Sequence, residues 1–193
     1  SDKLLVLDLD RTLIYAGDST GSDRTKPMLP KAPDFFIERW GIYKRPDFKG
    51  FLEYCKAVYR LGVWSNGSRD YVDDIVGNLF SKGDLEFQWD YDNCKNPPES
   101  RKDLPKEKII KDLKDLETKL KIPLSRVVVI DDEPRHYLSL ENVIRVVNWK
   151  GNEDDAELKR VQRFLSHIVS LNDLRGGIKN YEAFKKYCEH LKF

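Results

Sequence analysis

Apolar residues in this chain fall into short unbroken runs separated by longer stretches where they recur every third or fourth position. Residues 3–9 form a near-continuous apolar run, and similar runs occupy 61–65, 85–89, 126–130 and 143–147. Short runs without alternation predict strands buried on both faces, as in a parallel sheet. Between the runs the spacing turns helical. Pro46 suits a first helical position, and Phe48, Phe51, Leu52, Cys55 and Tyr59 follow it. Tyr71, Val72, Ile75, Val76 and Leu79 repeat the pattern, as do Ile109, Leu113, Leu116 and Leu120, and then Leu158, Val161, Leu165 and Ile168. Strands alternating with helices predict a three-layer, Rossmann-like α/β fold whose mostly parallel sheet is covered on both faces.

Two segments break this rhythm. Residues 15–44 are rich in Gly, Ser, Asp, Pro and Lys and turn aromatic at Phe35, Phe36, Trp40 and Tyr43. This insertion follows the first strand directly and is expected to overhang its end as a flap loop. Residues 90–104 form a second polar loop carrying Pro97 and Pro98. The tail, 178–193, reads as an amphipathic helix through Tyr181, Phe184, Tyr187 and Leu191. One domain over 1–193 is the expected organisation, a length that buries a good core.

Composition narrows the class. With 34 Lys+Arg against 33 Asp+Glu, the net charge of +1 gives no bulk attraction to nucleic acid or anionic membranes. No apolar stretch approaches the ~20 residues that span a bilayer. The chain has no visible signal peptide and starts almost directly on a strand, as an excised piece of something longer would. Cys55, Cys94 and Cys188 are odd in number and widely spaced, which suits a reducing compartment, cytoplasmic or nuclear, or a host cytoplasm after secretion without a visible signal.

Four predicted strand ends carry polar groups in order: Asp8-Leu9-Asp10-Arg11-Thr12, then Ser65-Asn66-Gly67, then a lysine, then Asp131-Asp132. Ligands of parallel α/β sheets bind beyond the carboxyl ends of the strands. Carboxylates crowded there repel one another unless a cation or shared proton compensates. A phosphate monoester poses the matching problem, because its own charge repels an anionic nucleophile, and a divalent cation draws the two together. Asp8, Asp131 or Asp132, a backbone carbonyl near Asp10 and waters make the oxygen-rich shell that Mg²⁺ prefers. Ser65, Asn66 and Thr12 are candidate phosphate contacts, and Asp10 is placed to protonate the leaving oxygen and later activate water. The lysine that offsets the remaining charge is expected to be Lys102. Lys111 repeats its Lys-Asp-Leu triplet but falls inside a helical pattern.

On these residues the chain resembles the haloacid dehalogenase (HAD) superfamily: Asp8-x-Asp10-x-Thr12-Leu13, Ser65, the lysine and Asp131-Asp132 are similar to its four motifs. Within it, Tyr43-Lys44-Arg45-Pro46, Trp89-Asp90 and Trp149…Asp155-x-Glu157-Leu158 resemble the small phosphatases of the RNA polymerase II C-terminal tail. Ile122-Pro123-Leu124-Ser125…Asp131-Asp132-Glu133 is closer to a magnesium-dependent branch linked to phosphotyrosine. Two positions depart from the tail phosphatases: Arg11 stands where they carry Glu, and Ser-Asn-Gly where they carry Thr-Ala-Ser. The resemblance implies a HAD-like fold without a large cap and an aspartyl-phosphate mechanism, with Asp8 as nucleophile, Asp10 as acid–base and Mg²⁺ held by Asp8, Asp10, Asp131 and Asp132. The expected substrate is a phosphoprotein or phosphopeptide, on phosphotyrosine or phosphoserine/threonine, and the expected protein is a monomer with no nucleic-acid partner.

Blander readings stand beside these. Asp131-Asp132-Glu133-Pro134 alone would suit a helix start, and His136 alone would be a surface or packed residue. Ser65 lacks the Gly-x-Ser-x-Gly elbow of serine hydrolases. Neither Cys55 with Arg60 nor Cys94 with Arg101 has the spacing of thiolate phosphatases. The competing functions are a catalytically weak phosphopeptide-binding or scaffold module and a phosphatase of small metabolites or nucleic-acid ends.

Overall fold

In chain order the strands and helices are β1 (Leu4–Leu7), β2 (Ile14–Asp18), β3 (Phe35–Ile37), β4 (Trp40–Lys44), α1 (Phe48–Val58), β5 (Arg60–Trp64), α2 (Arg69–Leu79), β6 (Phe87–Trp89), α3 (Lys114–Leu120), β7 (Val127–Asp131), β8 (Val143–Arg145), α4 (Glu157–Ile168), α5 (Arg175–Ile178) and α6 (Tyr181–His190). They are those of a computed structural model that describes residues 1–104, 106 and 109–190. The expected helical position of Leu191 lies outside the described residues.

Five strands form a parallel sheet in the order β6-β5-β1-β7-β8. β1 is central and wholly buried, with Leu4 opposite Arg60 on one side and Val127 on the other. Its alternate side chains feed two cores. Leu5 and Leu7 join Val128 and Ile130 beneath α1, α2 and α4, while Leu4 and Val6 join Val127, Val129 and Trp64 against Leu113 and Leu116 at α3. This is the three-layer arrangement that uninterrupted apolar runs demand, because both faces of each strand are dry. The residue before helix α4, Ala156, offers no side-chain cap, and the helix's buried stripe of Leu158, Val161, Phe164, Leu165 and Ile168 holds it against the sheet. Each such side chain contributes about 1.5–3 kcal/mol on burial. Helix α6 then packs Tyr181 and Phe184 against Phe164. Among the described residues, no helix is long and apolar enough to cross a membrane, and the three cysteines are buried and form no disulfide.

Two expectations need correction. Residues 15–44 are more than a loop: β2, β4 and β3 make a three-stranded antiparallel sheet, with the connecting loops folded against it. Gly17 and Gly41 pair across β2 and β4, and a Cβ would meet the Pro27 carbonyl at Gly17 and the Met28 side chain at Gly41, so the two glycines leave room for the β2–β3 connection to lie on its own sheet. The helical spacing from Ile109 also starts too early. Ile110 is buried in an antiparallel bridge to Lys95, and α3 begins at Lys114.

Candidate active site

The three central strands end at the same edge of the sheet. Asp8 follows β1 and is tied to β7 by its N–H to the Ile130 carbonyl (3.1 Å). Asp131 is the last residue of β7, and Ser65 follows β5, its N–H on the Trp89 carbonyl (3.0 Å). Beyond Asp8 the chain turns back sharply: the Leu9 carbonyl accepts from the N–H groups of Thr12, Leu13 and Ile14, and Arg11 adopts φ +62°. A left-handed arginine is a strained conformation, which a surrounding structure must hold. Here Trp149 N–H donates to the Arg11 carbonyl (2.8 Å), and the guanidinium of Arg45 donates to the Thr12 carbonyl (3.0 Å).

Asp8, Asp131 and Asp132 bring carboxylate oxygens within 4.8 Å of one another. The lysine between them is Lys111, whose Nζ lies 2.8 Å from Asp8 Oδ1 and 2.6 Å from Asp131 Oδ2 and is 1% exposed. This corrects the expectation for Lys102, which lies in an exposed turn away from the cleft. Lys111 precedes α3, so its side chain is free of a helix surface and turns inward, with its N–H on the His136 carbonyl (2.8 Å). Thr12 is also placed differently from expectation. It is fully buried and donates toward Asp8 Oδ2 (2.9 Å) and Asp132 Oδ1 (3.2 Å) while accepting from Asp132 N–H (3.1 Å), so it braces the carboxylates. Tyr137 donates to Asp131 Oδ2 (2.7 Å) and Asn148 to Asp132 Oδ2 (2.7 Å).

The electrostatics follow from this crowding. Burial, and then the charge of Asp131, push Asp8 well above the usual carboxylate value even against the pull of Lys111. The same two causes raise Asp132 to about 6. Burial lowers Lys111, but the fields of Asp131 and Asp8 outweigh it and hold the ammonium above its ordinary value. Two buried carboxylates on one ammonium, with the half-buried Asp132 beside them, remain short of positive charge. A hard divalent cation with oxygen ligands fits that donor set.

Around the carboxylates opens a cleft of about 700 Å³. Asp10 stands on its wall, raised by burial, with Tyr71 of α2 donating to its Oδ1 (2.7 Å). Ser65 Oγ accepts from Gly67 N–H (3.0 Å). Asn66 lines the cleft but directs its amide toward His136 and the Ile109 carbonyl. The flap sheet forms the far wall through Ala16, Ile37 and Trp40, with Lys26 stacked on Trp40 (5.1 Å). The sequence pattern misses Tyr71, Tyr137 and Asn148 as site residues. Tyr71 carried a signal as a polar-tipped aromatic in the first turn of the helix after Ser65, whereas Tyr137 and Asn148 follow strand ends with no spacing rule to mark them.

A parallel sheet with Asp-x-Asp beyond its central strand, a buried lysine and paired aspartates beyond the next strand defines the HAD class of phosphatase domain. The model of the NLI interacting factor-like phosphatases matches residues 3–175, and the chain belongs to that family. It is 31% identical over 177 residues to the CTD phosphatase-like protein 355R of Invertebrate iridescent virus 3, covering 84% of this chain and 95% of the viral protein. It is 29% identical over 177 residues to Nuclear envelope morphology protein 1 of Schizosaccharomyces pombe (90% of this chain, 34% of that protein). With CTD small phosphatase-like protein 2 of Dictyostelium discoideum it shares 25% over 186 residues (95% and 30%). The chain thus spans about a third of the length of these last two relatives. The fold is similar to that of the fission yeast RNA polymerase II CTD phosphatase Fcp1 bound to beryllium fluoride. The TM-score is 0.64 at 17% identity, over 98% of this chain and 66% of that one.

Proposed function

We propose that this domain is a Mg²⁺-dependent phosphoprotein phosphatase that works through an aspartyl-phosphate. The observation that carries the reading is the packing of Asp8, Asp131 and Asp132 within 4.8 Å of one another, the first two paired with the Lys111 ammonium, with Asp10 beside them on an open cleft. Asp8, Asp131, Asp132 and the Asp10 carbonyl would hold the ion, which when bound supplies positive charge that offsets repulsion between carboxylate and phosphate.

Asp8 attacks phosphorus, and the ester oxygen leaves with the proton of Asp10, whose affinity for that proton is raised by burial. Asp10 then takes a proton from water, which attacks the acyl phosphate, releases phosphate and restores Asp8. Lys111 and the Ser65 hydroxyl hold charge and hydrogen bonds against the phosphoryl oxygens. Among the described residues the cleft is roofed by the small flap sheet alone, so it suits a substrate that brings its own bulk, a phosphorylated protein segment. The CTD phosphatases among the relatives support the same class, and the relative named for nuclear envelope morphology supports a nuclear setting.

A panel of phosphoserine, phosphothreonine and phosphotyrosine peptides tests this, run with Mg²⁺ and with EDTA. Turnover should appear with Mg²⁺, vanish with EDTA, and fall by more than roughly 100-fold in Asp8→Asn. Turnover surviving that substitution would remove Asp8 as nucleophile, and turnover surviving EDTA would remove the ion.

A further inference from the structure

His136 takes no part in the chemistry above, yet it lines the cleft beside Ser65, Asp131 and Asp132. It is half-buried, and its carbonyl accepts the N–H of Lys111, so it stands just above the buried floor formed by Ser65 and Lys111. Its ring meets Asn66, and the surroundings settle which way that amide points. One amide atom is 3.4 Å from the Ile109 carbonyl, an oxygen that can only accept, so that atom is the nitrogen Nδ2. The oxygen end accepts from the Cys94 thiol (Sγ to Oδ1 3.1 Å). Nδ2 also lies 3.2 Å from His136 Nδ1. A ring nitrogen that accepts a hydrogen bond carries no proton, so the neutral imidazole keeps its proton on Nε2. Burial, and after it the Lys111 ammonium, lower the ring's affinity for a second proton. Among the described residues, Nε2 has no hydrogen-bond partner within the protein.

We propose that His136 is a substrate-positioning residue whose Nε2–H donates to an oxygen acceptor on the peptide flanking the phosphorylated side chain, with Asn66 and Cys94 holding the ring in that tautomer. The phosphoryl group itself is served from below by Ser65 and Lys111, which are 2% and 1% exposed, so a donor on the outer wall meets the chain that carries it. The proposal rests on the phosphatase reading of the cleft.

The test compares a phosphopeptide with p-nitrophenyl phosphate on the full chain. His136→Ala should raise KM for the phosphopeptide about fivefold or more, with a far smaller change in kcat, the effect of one lost hydrogen bond. The loss on p-nitrophenyl phosphate should be smaller by about the same factor, since that substrate has no peptide to position. His136→Gln keeps an N–H donor and should restore most of the affinity. Ring nitrogen NMR on ¹⁵N-labelled protein should show the proton on Nε2, and Asn66→Leu should shift the ring toward a mixture of tautomers. Equal losses on the two substrates, no rescue by Gln, or a proton on Nδ1 would each overturn the proposal. Should the wild-type chain turn over neither substrate, the phosphatase reading falls separately. Calorimetric binding of the same phosphopeptide then decides: weaker binding by His136→Ala supports the contact, and unchanged binding removes it.

Discussion

Lys111 is a single ammonium shared by Asp8 and Asp131, with almost no exposure to water. Removing one partner of a buried ion pair leaves the others uncompensated, which costs about 3 kcal/mol or more. Lys111→Met should therefore lower the urea midpoint by an amount equivalent to roughly that figure and reduce turnover by roughly 100-fold or more. Lys102→Met, on the exposed turn, should leave both within about twofold. Paired urea titrations and initial rates check this, and equal effects from the two substitutions would reverse the assignment. The two lysines carry the same local sequence, Lys-Asp-Leu, so sequence alone offers only spacing to separate them. Spacing misleads here because Ile109, at helical spacing from Leu113, lies outside the helix in a segment whose next residue, Ile110, bridges to Lys95, and α3 starts only at Lys114. Asp8, Asp10, Ser65, Asp131 and Asp132 were legible for the opposite reason: each follows an apolar run whose strand end fixes its place.

At the scale of elements, the parallel strands were legible because burial on both faces leaves an unbroken apolar signature. The flap was not, because β3 spans three residues and β2 and β4 contain the glycines that let Met28 approach. What shapes the flap instead is a polar knot. Asp18, at the end of β2, accepts from the Thr20 hydroxyl (2.6 Å), the Ser22 hydroxyl (2.8 Å) and the Asp23 N–H (2.7 Å). These bonds, that of Thr20 first, hold its carboxyl well below the usual range. A depressed value means that the native state binds fewer protons than the unfolded chain, so the stabilisation is present above the unfolded value of about 3.9 and is lost as pH falls toward the folded one. Hydrogen exchange at pH 7 should therefore show faster opening of 18–26 in Asp18→Asn with the parallel sheet unchanged. The wild-type flap should loosen from this cause only in acid, below a pH of about 4. Uniform protection in the variant at pH 7 would show that the knot does not hold the flap.

Across the whole molecule, the site depends on a joint between segments far apart in sequence. Arg45 leaves β4 with its guanidinium fully buried, makes a two-pronged pair with Asp155 (2.8 and 2.8 Å), and donates to the Thr12 carbonyl. Asp155 in turn accepts from the N–H of Glu157 at the start of α4 (3.1 Å), and Glu157 accepts from Val147 N–H beside Asn148, the partner of Asp132. Tyr181 of α6 reaches the same Glu157 oxygen (3.3 Å). Flap, first turn, α4, α6 and the paired aspartates are thus linked through one guanidinium and one buried glutamate. A lysine at position 45 would keep the charge but lose the planar fork that serves Asp155 and Thr12 together. Arg45→Lys should accordingly lower unfolding stability by about 2 kcal/mol, within the range of a broken buried network. It should also lower kcat by roughly tenfold, because small displacements of positioned groups are costly in rate. The KM for p-nitrophenyl phosphate should change less than kcat, since the cleft walls that meet a small substrate are built from other residues. Thermal denaturation and steady-state rates on the folded fraction separate the two effects, and a variant that loses stability at full kcat would show that the joint holds the fold without holding the first turn.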